Sequence, residues 1–120
     1  MNTKVAEQER EKYSRLISDK ENILSDLKDE HQKMEGMFRD VHEDLDRGFR
    51  ELVALNEEAL HNGNSDGLAN LQQLEEQERV FRQQLEQSED YLLEDYHVEV
   101  RNCNEEIDNL YQKRGELSLD

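Results

Sequence analysis

Apolar residues recur every three or four positions along most of the chain, which is the pattern of α-helices that bury one stripe. The stripe is about two residues in seven wide, as in the seam of a coiled coil. In the first half it shifts by one position after Val41. The predicted seam consists of Tyr13, Leu16, Ile23, Leu27, Met34, Met37, Val41, Leu45, Phe49 and Leu52, and then of Leu71, Leu74, Phe81, Leu85, Leu92, Tyr96, Val100, Cys103, Ile107 and Leu110.

The two halves are separated by one cluster of helix-breaking residues, and the chain contains no proline. Gly63 is suited to the position just after the first helix, and Ser65 or Asp66 to capping the second. Because a short polar loop joins two long helices, we predict an all-α fold, a single antiparallel two-helix hairpin with long coiled-coil-like arms. The predicted elements are a helix over about 3–61, a turn at 62–66 and a helix over about 67–118.

Further apolar residues lie beside the seam and widen it beyond what one partner helix can cover. Exposed apolar surface on so charged a protein indicates that another chain docks there. Gly36 and Gly48, inside the first helix, either loosen and bend it or admit a closely packed third helix. The flanking residues are Ile17, Leu24, Phe38, Val53, Leu55, Leu60, Val80, Leu93 and Val98.

The composition narrows the choice of partner. The 120 residues include 31 Asp and Glu against 15 Lys and Arg, a net charge of -16, which argues against nucleic acid and anionic lipid as partners. Neither a membrane-spanning stretch nor the apolar core of a signal peptide is present, so we expect a soluble, cytosolic protein. Residues 85–108 hold nine acids against Arg101 alone, either as a solvated face or as a surface for a basic partner.

The sequence offers little catalytic chemistry. It has no phosphate-binding loop, dinucleotide fingerprint or zinc-ligand spacing, and we predict neither an enzyme nor a cofactor. A Glu-x-x-His spacing occurs at Glu58–His61 and at Glu94–His97, and a hairpin brings His31 level with His97. A metal-binding helical bundle is therefore a minor alternative. The single cysteine, Cys103, excludes an internal disulfide and is read as a small buried hydrophobe.

Three segments carry a family resemblance. The aromatic-containing helix MEGMFRDVHEDLDRGFRELVAL precedes the turn, the Gln- and Glu-rich helix LQQLEEQERVFRQQLEQSEDYLLEDY follows it, and EEIDNLYQKR lies near the end. Over about two-thirds of its length, the chain resembles the WXG-type helical hairpins of bacterial type VII secretion. It is most similar to the small partners encoded beside LXG-type toxins. Tyr91-Leu-Leu-Glu-Asp95 resembles the Tyr-x-x-x-Asp signal of these families.

The resemblance implies a chaperone or targeting factor that binds the helical N-terminal domain of a toxin, together with a second small hairpin. It implies a cytoplasmic protein, or one exported with its client. The main alternative is a self-associating, homo-oligomeric coiled-coil scaffold. Tyr91 and Asp95 are the predicted recognition pair, and the residues predicted to pack against the partner are Met34, Met37, Phe38, Val41, Phe49, Phe81, Leu85, Leu92, Tyr96 and Val100.

Overall fold

The chain forms two long helices joined by a short turn, which confirms the predicted all-α helical hairpin. The computed structural model describes residues 3–64 and 66–117; Ser65, one of the two predicted caps, lies outside them. Helix α1 spans Thr3–His61 and helix α2 spans Gly67–Glu116. The predicted bounds are about 3–61 and 67–118.

Helix α1 ends in a Schellman motif built on Gly63. This glycine has a φ angle of 90°, a left-handed conformation that costs other residues free energy. Its N–H donates to the carbonyl of Leu60 at 3.1 Å, and the N–H of Asn64 donates to the carbonyl of Ala59 at 2.9 Å. These two bonds satisfy carbonyls that the end of a helix would otherwise leave without partners. Gly63 thus has the role that the sequence predicts.

Helix α2 begins immediately after Asp66, whose carbonyl accepts the N–H of Asn70 at 3.0 Å. The N–H of Asp66 itself donates to Oδ1 of Asn64 at 3.0 Å, which closes the turn. At Gly67 a Cβ atom would lie 2.6 Å from Cγ of Leu60, so a side chain there would displace that leucine. A glycine at this position lets the two helices approach closely at the turn.

Contacts between α1 and α2 divide the hairpin into two units. The terminal unit comprises the residues up to Lys33 and those from Leu93 onward, and the turn unit comprises Met34–Leu92. In each unit a segment of α1 packs antiparallel against a segment of α2.

The terminal unit has a narrow core of Ile17, Cys103 and Ile107. Leu24 and Leu110 are partly buried against it. The thiol of Cys103 donates to the carbonyl of Lys20 at 3.3 Å, so this cysteine is the buried core residue that the sequence predicts.

Charged side chains tie the two helix segments of the terminal unit together at its edges. Lys20 Nζ lies 2.5 Å from Glu106 Oε2, and its hydrogen bond to this carboxylate raises the pKa of the lysine. Arg10 Nη1 donates to the carbonyls of Arg114, at 3.0 Å, and Leu117, at 3.3 Å. Arg10 therefore caps the end of α2, where carbonyl groups lack helical partners.

The predicted seam of α1 is wrong by one position at several points. Leu16, Ile23, Met37, Val41 and Leu52 were assigned to the seam, but their side chains are exposed. The residues that follow most of them face α2 instead. Two apolar stripes run side by side on α1, and a single partner helix covers only one of them. The α1 residues that face α2 include Ile17, Leu24, Phe38 and Val53 at the shifted positions, and Tyr13, Leu27, Met34, Leu45 and Phe49 as predicted.

The seam of α2 follows the prediction except at Phe81, whose side chain is 52% exposed. The next residue, Arg82, is partly buried instead and bridges the two helices. Arg82 Nη2 is 2.5 Å from Asp46 Oδ1 and 2.9 Å from Glu78 Oε1. These two carboxylates accept hydrogen bonds from the guanidinium, which offsets the free-energy cost of partly burying its charge.

We predict opposite effects of the same chemical change at two glycines. Gly63→Ala should lower the free energy of unfolding by about 1 kcal/mol, because alanine is strained at a positive φ angle. Gly36→Ala should raise it by up to about 1 kcal/mol, because alanine is the better helix former and a Cβ there meets nothing within 4 Å. Urea unfolding followed by circular dichroism measures both values. Equal signs for the two variants would contradict the assignment of Gly63 to the helix end.

Candidate partner-binding surface

The residues predicted to bind a partner fall into two groups. Seven of them lie at least partly buried between the two helices of their unit. The other five, which include both members of the predicted recognition pair, are exposed to solvent. The first group is Met34, Phe38, Phe49, Leu85, Leu92, Tyr96 and Val100; the second is Met37, Val41, Phe81, Tyr91 and Asp95.

Tyr91 and Asp95 lie one helical turn apart on α2, and both are exposed. Tyr91 is 71% exposed, an unusual degree for an aromatic side chain. Its ring is thus free to contact another molecule, as a recognition residue requires.

In the turn unit, the charged side chains that join α1 to α2 lie on one side of the helix pair, which we call the charged side. Arg82 bonds Asp46 and Glu78 there, and His42 bonds Glu89. The hydrogen bond from Arg82 lowers the pKa of the Asp46 carboxyl, and the same bond is the main cause of a raised pKa for Arg82. A surface cavity on this side is lined by Asp46, Phe49, Arg50, Val53, Ala54, Glu57, Glu78 and Arg82.

The opposite side of the turn unit, which we call the open face, is nearly free of charge at its centre. Its α1 half carries a stripe of exposed apolar residues that repeats on one helix face. At 3.6 residues per turn these positions, with Gly48, fall within an arc of roughly 60°. Met37 is the most exposed of them, at 68%. The apolar stripe consists of Met37, Val41, Gly48, Leu52 and Leu55.

The α2 half of the open face carries uncharged polar and aromatic side chains. Seven exposed positions follow one another at spacings of three or four residues, within an arc of roughly 80°. None of the seven carries a charge, in a chain in which 38% of residues are charged. We call this set the glutamine stripe: Asn70, Gln73, Gln77, Phe81, Gln84, Ser88 and Tyr91.

The two stripes adjoin each other across a shallow groove. Leu52 of α1 lines this groove together with Gln73 and Gln77 of α2. The rings of Phe49 and Phe81, with centroids 6.3 Å apart, lie one turn of α1 further from the hairpin turn. The open face is therefore a continuous surface with contributions from both helices, of which the sequence prediction contained only part. Leu52 was assigned to the seam and Leu55 was only a flanking residue, and the glutamines, being neither apolar nor charged, gave no signal.

The metal alternative finds little support in the arrangement of the histidines. His31 stacks on the ring of Tyr96, with centroids 4.0 Å apart and planes 3° from parallel. The His97 ring is tilted against that of Tyr96 at 5.7 Å. Among residues 3–64 and 66–117, no group of three or more His, Cys, Asp or Glu side chains is placed to hold a metal ion.

Three comparisons with known proteins found no match: no protein-family model, no curated protein and no solved structure matches the chain. Within the described residues, no helix is long and apolar enough to cross a membrane.

We predict that the Asp46–Arg82 pair contributes to stability in a pH-dependent way. The pKa of Asp46 is lower in the folded state, so its contribution is present above the ordinary value of about 4 and is lost as the pH falls through the folded value. Asp46→Asn should lower the melting temperature at pH 7, and its difference from the wild type should shrink below about pH 4. Thermal melts at several pH values measure this.

Asp44→Asn is the matched control, because Asp44 pairs only along its own helix with Arg47, at 3.3 Å. This variant should change the melting temperature less than Asp46→Asn at pH 7. Equal effects of the two substitutions would show that the contact between the helices adds nothing to stability.

Proposed function

We propose that this protein is a non-enzymatic partner protein that binds helices of a larger client. The observation that carries the proposal is the imbalance between its core and its exposed apolar surface. Within residues 3–64 and 66–117, five hydrophobic residues are buried, namely Ala6, Ile17, Phe49, Cys103 and Ile107. In the same part of the chain, fourteen large hydrophobic side chains are exposed, among them Met37, Leu55, Leu68, Phe81 and Tyr91.

This imbalance favours a binding role because a soluble protein rarely leaves a continuous apolar surface open to water. Most of the exposed apolar residues of the turn unit lie close together. Those of α1 lie on one helix face, and those of α2 include Phe81 and Tyr91 within the adjoining glutamine stripe. A third helix laid against them would complete the burial that two helices leave unfinished.

The resemblance to the partners of LXG-type toxins gives the proposal its more specific form. In that form the protein is a chaperone or targeting factor for a type VII secreted toxin. The client contributes the helices of its N-terminal domain, with a second small hairpin as a further component of the bundle. The protein acts in the cytoplasm or leaves the cell together with the client. Exposure of both Tyr91 and Asp95 supports their role as a recognition pair.

A homo-oligomeric scaffold is the second candidate, since a second copy can also cover an apolar stripe. Each copy carries a net charge of -16, however, and the repulsion between these like charges opposes the association of two copies. Sedimentation of the purified protein over a range of concentrations separates the two candidates. A stable dimer that does not exchange for a client would favour the scaffold.

We predict that a client raises the stability of the hairpin. Tagged purification of the hairpin from its native cell should recover a larger helical client. Binding of this client should raise the melting temperature of the hairpin. A ligand at 100 times its dissociation constant stabilises the folded state by about 2.7 kcal/mol. Thermal melts of the hairpin alone and of the purified complex measure the shift.

The control is the same client after removal of its helical N-terminal domain, which should give no shift. An unchanged melting temperature with the intact client would contradict the proposed function. Recovery of the hairpin only with itself would also contradict it, and would support the scaffold.

A further inference from the structure

We infer that the open face of the turn unit is the docking site, and that its occupant is an amphipathic helix of about 20 residues with a basic flank. This inference rests on the proposed function and specifies which surface acts and what it recognises. It depends on the contrast between the two sides of the turn unit, on a row of carboxylates beside the apolar stripe, and on the space above Gly48.

The first argument is the placement of charge. The ion pairs of Arg82 with Asp46 and Glu78, and the hydrogen bond between His42 and Glu89, lie on the charged side. A helix that docked there would have to break these pairs or desolvate them, which is costly. The centre of the open face requires no such loss, because the apolar and glutamine stripes carry uncharged side chains. The free energy gained by burying apolar area on the open face is therefore not offset by the loss of an ion pair.

The second argument fixes the length of the occupant. The apolar stripe extends from Met37 to Leu55, and the glutamine stripe from Asn70 to Tyr91. At about 1.5 Å per residue these spans are roughly 27 and 32 Å long. A straight helix of about 20 residues matches both. It would lie in the groove between the stripes and contact them through residues at positions i, i+3, i+4 and i+7.

The third argument fixes the charge of the occupant. Four exposed acids follow the outer edge of the apolar stripe at spacings of four, seven and seven residues, with Arg47 as the cation beside them. The outer edge of the glutamine stripe has no comparable row. A bound helix would therefore meet carboxylates along one flank and amides along the other, so Lys or Arg is favoured on the first flank. This acidic rim consists of Asp40, Asp44, Glu51 and Glu58.

The same acidic rim argues against a second copy of the chain as the occupant. Two copies joined through their open faces would each bring Asp40, Asp44, Glu51 and Glu58 to the contact. Like charges brought together in this way oppose association. A basic helix gains from the same carboxylates, so the acidic rim favours a partner of opposite charge.

Gly48 marks the point of closest approach. It lies on the apolar stripe, close to the level at which Phe49 contacts Phe81, and a Cβ built on it meets nothing within 4 Å. A larger side chain there fits the free hairpin but projects into the space that a docked helix needs. Gly36 also has open space around its Cβ position but points away from the open face, which makes it a matched control.

The test uses the full chain and a designed 21-residue peptide as probe. The peptide carries leucines at heptad spacing, lysines along one flank and glutamines along the other. One control peptide has glutamate in place of every lysine, and another has the same composition with the leucines scattered. We expect the basic amphipathic peptide to bind at least 10-fold more tightly than either control, as measured by fluorescence anisotropy. We also expect its affinity to fall as the salt concentration rises.

Two pairs of variants locate the site. Leu52→Gln on the open face is paired with Ile23→Gln in the terminal unit, since these side chains are 44% and 46% exposed. Gly48→Gln is paired with Gly36→Gln. We expect Leu52→Gln and Gly48→Gln to weaken peptide binding at least 10-fold and the other two to leave it within 2-fold. Melting temperatures of the free variants, which should not fall for either glycine, establish that the hairpin remains folded.

The outcomes separate the site from the function. If the basic peptide binds but Ile23→Gln weakens it as much as Leu52→Gln, the location is wrong. If the acidic peptide binds as well, the role of the acidic rim is wrong. Failure of all peptides, or a dimer of the free chain that Leu52→Gln dissociates, overturns the inference as a whole. The proposed function is judged independently by recovery of a client: a client that binds the Leu52→Gln and Gly48→Gln variants normally retains the function and refutes the site.

Discussion

A pair of helices can bury only one stripe of each partner, and this constraint governs the rest of the structure. Each helix of the hairpin has a single neighbour within its unit, so the interior is one row of side chains deep. The terminal unit shows the consequence in its core of Ile17, Cys103 and Ile107. Every further apolar residue must lie at the edge of this row or be exposed. The exposed stripe of α1 follows directly from a helix that carries more apolar residues than one partner can cover.

Charged pairs at the edges of the seam compensate for the uniformity of such a narrow core. A row of similar apolar side chains allows helices to slide by a heptad with little loss, whereas a paired charge fixes one register. Arg82 has this role in the turn unit, because its guanidinium reaches Asp46 at one relative position of the helices. Lys20 and Glu106 have it in the terminal unit. Such pairs at partly exposed positions add modest stability, and we expect them in addition to favour one alignment of the helices.

The sequence predicts the elements of this fold well because their signals are local. A glycine in a polar cluster identified the end of α1, and Gly63 adopts the positive φ angle that such an end requires. The choice between two adjacent stripes on α1 is not local. Leu16 and Ile17 are equally good core residues by composition, and only the position of α2 decides that Ile17 is buried. The assignment of Phe81 to the seam was wrong for a related reason. Arg82, not Phe81, is partly buried, because there it gains two carboxylate partners.

The candidate site was harder to predict because half of it is defined by what it lacks. Periodicity analysis detects apolar residues, and it identified Met37 and Val41. It assigned both of them to the seam as well as to the contacts with a partner. A row of glutamines gives no such signal. The row can be recognised as part of a surface only from the fold, which places Gln73 and Gln77 beside Leu52. The charged residues of α2 lie on other faces of the helix. Absence of charge in a highly charged chain is informative only after the face is known.

The strong acidity of the chain and its open face are best understood together. An exposed apolar stripe is a risk for self-association, and a net charge of -16 opposes contact between copies. The same charge attracts a basic partner over a distance set by the ionic strength. Acidity concentrated at the rim, as at Glu51 and Glu58, has both effects without interrupting the apolar surface. This distribution of charge is the one expected of a hairpin that stays dispersed alone and binds a basic helix, as we propose.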